Sequence, residues 1–175
     1  MVIATRLNGL VAFAAAVVLI AGCSSSTDSS GQAVSQHGRQ YLLANEPKGA
    51  VSVRDAVKQA DDGQEVVLVG RIGGEVDPWV DDMAAFTIVD TKLVPCSERP
   101  GDTCPTPWDY CCDLGDLPTS SAAIKLVDQQ GKVVSESARK LLALKELQTV
   151  VVHGRAQRGP EGSLVVLADG LFIKR

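Results

Sequence analysis

Four cysteines in a short, proline-rich stretch are the residues of this chain best suited to chemistry. Cys96, Cys104, Cys111 and Cys112 follow the spacing Cys-x7-Cys-x6-Cys-Cys. Thiols at this density form disulfides, bind a soft or borderline metal ion, or take part in thiol–disulfide exchange. Prolines at positions 95, 100, 105 and 107 stiffen the same stretch and argue against a helix or strand there. The stretch is therefore predicted to be a cross-linked or metal-binding loop.

The N-terminus indicates in which compartment these thiols lie. Arg6 precedes an apolar run from Leu7 to Ala21, which is followed by Gly22-Cys23. This pattern resembles a bacterial lipoprotein signal peptide with its lipobox, in which a peptidase cleaves before the cysteine and the thiol then carries the lipid. The run is shorter than the roughly 20 residues of a membrane-spanning helix. We therefore expect residues 1–22 to be a signal peptide. Acylated Cys23, carrying palmitate or a similar chain, would anchor the protein in the cell envelope, facing the periplasm or the exterior.

Two disulfides are the first expectation for the remaining four cysteines in that oxidising compartment. A bond between the neighbours Cys111 and Cys112 would close a strained ring, so two pairings stay open. One joins Cys96 to Cys111 and Cys104 to Cys112, and the other joins Cys96 to Cys112 and Cys104 to Cys111. Each bond would stabilise the fold by about 3 kcal/mol on the chain-entropy model.

A metal site is the alternative for the same four cysteines. Four thiolates bind Zn²⁺ tetrahedrally, and soft sulfur also suits Cu⁺, so zinc or copper would then be the cofactor; otherwise none is expected. Cys111 and Cys112 form an awkward chelate, because neighbouring side chains point apart in extended chain. Redox exchange is favoured least, since Asp109, Asp113 and Asp116 disfavour a thiolate nearby.

Acidic and aromatic residues surround the cysteines. Between residues 75 and 116, ten acidic residues outnumber Lys92 and Arg99. Such a run forms either a solvated surface or a patch that attracts cations. Three aspartates are candidate cation ligands, although they lack the spacing of a calcium loop: Asp77, Asp81 and Asp82. Three aromatic side chains are candidate ligand contacts, because rings stack on sugars or bases: Trp79, Trp108 and Tyr110.

No enzyme signature is present in the sequence. It contains no Gly-x-Ser-x-Gly, no phosphate-binding loop and no His-Glu-x-x-His motif. His37 falls in a predicted tether, and His153 falls in the middle of a predicted strand, where a surface or barrel-rim position is expected. We therefore predict that the protein is not an enzyme and has no catalytic residues.

One mainly β domain is predicted over residues 46–175, after a polar tether over residues 23–45. A helix is expected to begin at Ser52, with Asp55 completing a capping box, and a second helix is expected from Ser135 to Leu147. Five strands are predicted, at Glu65–Ile72, Ala84–Asp90, Ala122–Asp128, Thr149–Gln157 and Ser163–Ile173. The cysteines fall in an insertion over residues 92–121, between the second and third strands.

Three strands, a helix and two strands are the element order of the five-stranded OB barrel. A Gly-Arg pair recurs in the first and fourth strands, at residues 70–71 and 154–155, and glycines there let a strand coil tightly enough to close a small barrel. From Ser52 to Lys174 the pattern resembles bacterial exported OB-fold proteins. The string Pro-Trp-Asp-Tyr-Cys-Cys, residues 107–112, resembles a motif of uncharacterised bacterial lipoproteins. The cysteine-bearing insertion departs from the first group, so no ligand is carried over from it.

The predicted function is that of a non-catalytic envelope lipoprotein that acts as a binding or structural module through an OB-like barrel. Metal binding by the four-cysteine loop is the alternative. The expected partners are the membrane, through the N-terminal lipid, and an envelope protein or glycan. Nucleic acid is not expected, because the net charge is −4, or −5 once Arg6 is removed with the signal peptide. The chain thus lacks the basic footprint that phosphate binding requires.

Overall fold

The structure, a computed structural model, describes residues 33–175. The predicted signal peptide and Cys23 lie outside the described residues. Within the described part, no helix is both long enough and apolar enough to cross a membrane. The strands and helices are β1 (Val51–Ser52), α1 (Val53–Gln59), β2 (Glu65–Ile72), β3 (Ala85–Val89), β4 (Ser121–Leu126), α2 (Ala138–Leu142), β5 (Thr149–Arg158) and β6 (Leu164–Ile173).

Five of the strands close into a barrel. Strand β2 pairs antiparallel with β3 on one side and with β5 on the other, and β3 continues antiparallel to β4. Strand β4 pairs parallel with β6, and β6 returns antiparallel to β5. The order β2-β3-β4-β6-β5 and back to β2 is that of an OB barrel. The predicted mainly β, OB-like fold is confirmed.

Alternation of buried and partly exposed side chains along the strands explains the barrel. Along β2, Val66, Leu68 and Ile72 are buried, and the side chains between them are only partly covered. The same alternation in the other strands directs Phe86, Ile124 and their equivalents into one common core. Because successive side chains of a strand point to opposite faces, a period of two buries one face of each strand and leaves the other toward solvent.

A glycine permits the tightest strand contact of the barrel. The pairing of β5 with β6 shifts register between His153 and Gly154, as in a β-bulge. A Cβ at Gly154 would overlap the carbonyl oxygen of Leu167 on β6. Only glycine therefore allows the two backbones to approach this closely, in agreement with the role predicted for the recurrent glycine.

The two helices flank the barrel strands as predicted, with different lengths. Ser52 caps α1 by accepting the backbone N–H of Asp55 at 3.1 Å. The Ser52 hydroxyl in turn donates to the Asp55 carboxylate at 2.8 Å, in place of the second bond of a capping box. Helix α2 covers only Ala138–Leu142, within the predicted Ser135–Leu147. It ends because the next residue, Ala143, adopts a left-handed conformation with φ of 55°.

Part of the predicted tether is folded onto the barrel. Tyr41 is 3% exposed and belongs to the core, and Val34 packs against that core. The backbone N–H of Leu43 donates to the carbonyl of Leu171 on β6 at 2.8 Å. The described part of the predicted tether (residues 23–45) therefore packs against the barrel.

The connection from β3 to β4, residues 90–120, is here called the Cys loop. Within it the structure has three short 3-10 turns, Cys96–Glu98, Cys111–Asp113 and Leu117–Thr119, and no strand. Only a small apolar cluster lies beneath it, formed by Val89, Leu93 and Tyr110. The predicted insertion, residues 92–121, is thus present between the expected strands and lacks a large core of its own.

Candidate metal centre

A buried carboxylate fixes the beginning of the Cys loop. Asp90 is fully buried where β3 ends, and its two oxygens accept backbone N–H groups of Arg54 and Lys92 at 2.9 and 3.0 Å. Burial opposes ionisation of this group, but these hydrogen bonds outweigh it and hold the pKa of Asp90 below its usual value. Asp90 thereby ties the loop to the first turn of α1.

Three cysteines and one aspartate converge at the centre of the loop. One ligand atom each from Cys96, Cys104, Asp109 and Cys111 lies within 4.8 Å of the other three. The Cys96 and Cys111 Sγ atoms are 3.6 Å apart. Asp109 Oδ1 lies 3.7 Å from Cys96 Sγ and 3.9 Å from Cys104 Sγ. Among the described residues this is the one such cluster of metal-ligating side chains.

Three of the six separations among these four donor atoms lie close to the edges of a tetrahedral donor set. With Zn–S bonds of about 2.3 Å and a Zn–O bond of about 2.0 Å, two sulfurs of a tetrahedral zinc site lie about 3.8 Å apart, and sulfur and oxygen about 3.5 Å apart. The measured separations of 3.6, 3.7 and 3.9 Å fall close to those edges. A disulfide would require sulfurs about 2.05 Å apart. The Cys96 and Cys111 sulfurs are therefore too far apart for a disulfide and close enough to bind one ion together.

Hydrogen bonds hold the Asp109 carboxylate in place. Its Oδ2 accepts the Thr106 hydroxyl at 2.6 Å, and its Oδ1 accepts the backbone N–H of Cys111 at 2.9 Å. Burial opposes ionisation, yet these bonds outweigh it and hold the pKa of Asp109 below its usual value. A metal ligand whose remaining contacts are satisfied by its neighbours keeps its orientation.

Two of the thiols, those of Cys96 and Cys111, are held in the protonated form. Burial raises the pKa of Cys96. The hydrogen bond to Cys96, together with burial, raises the pKa of Cys111. Because a metal binds thiolates, an ion entering this cluster must displace these protons.

Glycines at the end of β2 allow the loop to lie against the barrel. The Gly74 N–H donates to the Trp108 carbonyl at 2.7 Å. A Cβ at Gly73, whose φ is 152°, would lie 2.5 Å from that same oxygen and 3.1 Å from the Tyr110 ring. Tyr110 is fully buried, with a left-handed φ of 58°, directly between the ligands Asp109 and Cys111. The Tyr110 side chain therefore anchors the ligand-bearing segment to the barrel.

Cys112 lies outside the cluster, although it was predicted to act with the other three. It is exposed, and all four cysteines are free in the structure, so neither predicted pair of disulfides is formed. Only Cys111 of the two neighbours belongs to the cluster, in agreement with their poor geometry as a chelate. Asp109 was not predicted as a ligand. The Asp-x-Cys spacing, in which Asp109 accepts the N–H of Cys111, was the signal that could have identified it.

The structure does not gather the three aspartates predicted as cation ligands. Asp77, Asp81 and Asp82 are all exposed in the connection between β2 and β3. Asp77 accepts the backbone N–H of Trp79 at 3.2 Å, which makes it part of a turn. These residues do not form a metal-ligating cluster within the described chain.

The three aromatic residues predicted to contact a ligand have different surroundings. Trp79 is 9% exposed, packs against Phe86 and donates its indole N–H to Glu146 at 2.7 Å. Tyr110 is fully buried, as described above. Trp108 is partly exposed, with its indole N–H bonded to the Val76 carbonyl at 3.0 Å. Contact with a ligand therefore remains a prediction for Trp108, while the other two rings are packed inside the protein.

His153 lies on the barrel surface between two carboxylates. Its Nδ1 is 2.5 Å from Asp169 Oδ1, and its Nε2 is 3.4 Å from Glu65 Oε1. The hydrogen bond to Asp169 outweighs partial burial and raises the pKa of His153. This arrangement is an ion-pair cluster across β2, β5 and β6, at the surface position that was expected.

Comparison with known proteins assigns this chain to no family. The chain matches no protein-family model and no curated protein.

Proposed function

We propose that this protein is an exported, lipid-anchored module whose OB-like barrel carries a zinc site in the Cys loop. Cys96, Cys104, Asp109 and Cys111 supply the four ligands. The observation that carries the proposal is the convergence of these four donor atoms, all within 4.8 Å of one another, with three of their separations close to tetrahedral edges. The signal-like N-terminus supports export, and Cys23 supplies the anchor.

The donor set favours zinc over copper. Cu⁺ prefers soft sulfur donors, whereas Zn²⁺ accepts sulfur and oxygen together in a tetrahedral shell. Here the fourth donor is the carboxylate of Asp109, and that carboxylate is ionised and fixed by two hydrogen bonds. An S₃O set of this kind suits Zn²⁺.

Four protein ligands fill a tetrahedral shell and leave no position for a substrate, which is typical of structural zinc. The surroundings agree with that role, since the Cys loop has no strand and only a small apolar cluster. A bound ion would join Cys96 at the start of the loop to Cys111 near its end. Zinc would thus stabilise the loop as a fixed projection on the barrel.

Zinc titration of the full-length chain, prepared in a reducing and metal-free buffer, tests the site. Native mass spectrometry should show one zinc ion per chain, and competition with a chromophoric chelator gives its affinity. Structural zinc sites contribute about 10–16 kcal/mol, so loss of one of four ligands should cost about 3 kcal/mol, or roughly 100-fold in affinity. Cys96→Ser and Cys111→Ser should show this loss.

Cys112→Ser is the matched control, because Cys112 neighbours a ligand but lies outside the cluster. Its zinc affinity should equal that of the unaltered chain. Absence of zinc binding in the reduced protein would overturn the proposal. So would a Cys112→Ser variant as impaired as Cys96→Ser.

The anchor is tested separately. In bacteria grown with labelled palmitate, the full chain should acquire label and sediment with membranes, and Cys23→Ser should do neither. Equal labelling of the two proteins would contradict lipidation at Cys23.

A second candidate function is glycan binding on the barrel face, and a cleft of about 280 Å³ favours it. Its lining includes Glu75, Thr87, Ala123, Glu161 and Ser163, between the β2–β3 and β5–β6 connections. Hydroxyls and carboxylates around a small residue suit the hydroxyl groups of a sugar. Cell-wall oligosaccharide should shift the NMR signals of these residues, and Ala123→Leu should abolish the shifts by filling the cleft. Undiminished binding by that variant would exclude this surface.

A further inference from the structure

We propose that the zinc site is redox-releasable: oxidation joins Cys96 to Cys111 and expels the ion. This inference rests on the proposed zinc function and adds the chemistry that regulates it. The Sγ atoms of this pair lie 3.6 Å apart, so a movement of about 1.5 Å would bring them to the bonding distance of about 2.05 Å. The same two sulfurs therefore serve either as zinc ligands or as a disulfide.

The two cysteines have complementary positions for such a reaction. Cys111 is exposed, in a short 3-10 turn at the loop surface, whereas Cys96 is fully buried. Access governs which sulfur meets an external disulfide first. Cys111 is therefore the entry point, and Cys96, directly behind it, completes the bond.

Cys104 is less suited to take the place of Cys96. Its Sγ lies 3.4 Å from the Thr106 carbonyl oxygen and 3.8 Å from Asp109 Oδ2. Cys96 also contacts Asp109, but the contact with the Thr106 carbonyl is particular to Cys104 and holds that sulfur within its own turn of chain. After oxidation, only Cys104 and Asp109 would remain as ligands, and two donors do not retain the ion.

The reaction balances with a small-molecule disulfide, RSSR, as oxidant. As a zinc ligand Cys111 would already have lost its proton, and its thiolate attacks one sulfur of RSSR, forming a mixed disulfide and releasing one thiolate, RS⁻. The Cys96 thiolate then attacks the Cys111 sulfur, forming the Cys96–Cys111 bond and releasing the second RS⁻. Two electrons pass from the protein to RSSR, and Zn²⁺ leaves to solvent as its ligands are lost.

This exchange would matter in the oxidising compartment outside the cytoplasm that is predicted for this protein. Outside the cytoplasm, thiols persist only if they are protected from oxidation. Zinc occupancy and the Cys96–Cys111 bond exclude each other at this site. The proportion of zinc-bound protein would therefore follow the balance of disulfides and thiols around it.

The experiment treats the zinc-loaded full chain with oxidised glutathione in the presence of a chromogenic zinc indicator. One zinc ion should be released for every two thiols lost, and peptide mapping should place the new bond between Cys96 and Cys111. Reduced glutathione should restore both thiols and zinc binding. Cys112→Ser should respond in the same way, since Cys112 takes no part.

The outcomes separate this inference from the zinc proposal. A chain that takes up no zinc when reduced overturns both. A chain that binds zinc and keeps it while its thiols are oxidised overturns only the redox inference. A mapped bond involving Cys104 or Cys112 in place of the Cys96–Cys111 pair also overturns it.

Discussion

The barrel and the Cys loop, two parts of one chain, are held together by different means. In the barrel, alternating apolar side chains from five strands share one core, and each strand pairs on both sides. In the loop, turns and side-chain hydrogen bonds replace strand pairing, and its apolar cluster is small. The barrel is therefore held by burial and strand pairing, whereas the proposed zinc ion would hold the loop through its cysteines.

This contrast also assigns the two parts different roles. A segment with little apolar burial has low local stability and opens more readily than a packed sheet. Because Cys111 is exposed in such a segment, the proposed metal site would be accessible to ions and oxidants while the barrel remains folded. Substitutions in the barrel, in the loop and at their junction should therefore have different effects on stability and zinc affinity.

Phe86→Ala should destabilise the barrel and the loop together. Phe86 is 1% exposed in the shared core and packs against Trp79, with ring centroids 5.8 Å apart. Removing such a side chain leaves a cavity and costs about 3–5 kcal/mol in the free energy of unfolding. Urea unfolding measures the loss. Val76→Ala is the control, because Val76 is 68% exposed and its truncation should change stability by less than about 0.5 kcal/mol.

Gly73→Ala should disturb the attachment of the loop while the barrel stays folded. The added Cβ would meet the Trp108 carbonyl oxygen at 2.5 Å, at a φ of 152° that side chains rarely adopt. Strain of this kind costs about 1–3 kcal/mol. We expect zinc affinity to fall at least about 10-fold, as for other residues that orient ligands. Gly115→Ala, also in the loop but with open space around it, should leave affinity unchanged; equal effects would contradict the anchoring role of Gly73.

Asp90→Asn should weaken the junction between the two parts. The carboxylate accepts N–H groups from both α1 and the loop, and an amide offers only one acceptor oxygen. The expected cost is about 1–3 kcal/mol, measured by urea unfolding, with exposed Asp81→Asn as control.

The same group predicts a pH dependence of stability. Since the folded-state pKa of Asp90 is lowered, its contribution is fully present above the unfolded value of about 3.9. It is lost as the pH falls through the lower pKa of the folded state. Asp90→Asn should lack this acid-dependent part of the stability, and an unchanged profile would contradict the assignment.

His153 should give the smallest effect, confined to the barrel. Its pKa is raised by Asp169, so the stabilisation is fully present below the unfolded value of about 6.5 and is lost as the pH rises through the folded pKa. NMR titration of the imidazole measures this directly. Asp169→Asn should lower the pKa of His153 without altering zinc affinity; a change in zinc affinity would show that the two parts are coupled.

The barrel was more predictable than the loop, and the reason is physical. Strand β2 lies at the predicted Glu65–Ile72, because a valine-rich run favours a strand through the local preference of its own residues. Helix α2 is shorter than predicted, since Ala143 adopts a left-handed conformation that the apolar spacing of the sequence does not reveal.

In the loop, residue types alone identified the cysteines but not their arrangement. Cys112 shares its chemistry with Cys111 and differs only in the direction of its side chain, which depends on the turn at Tyr110. In the sequence, Asp109 is one of ten acidic residues between positions 75 and 116. Only the fold shows that its carboxylate lies among three sulfurs. Convergence of residues from separate turns requires the three-dimensional structure.

X-ray absorption at the zinc edge of the reduced, zinc-loaded chain tests the proposed set of three sulfur ligands and one oxygen ligand. The expected shell has three sulfurs at about 2.3 Å and one oxygen at about 2.0–2.2 Å, and the oxygen should be lost or replaced in Asp109→Ala. A shell of four sulfurs would mean that Cys112 takes the place of Asp109. That result, or a shell without sulfur, would contradict the site described.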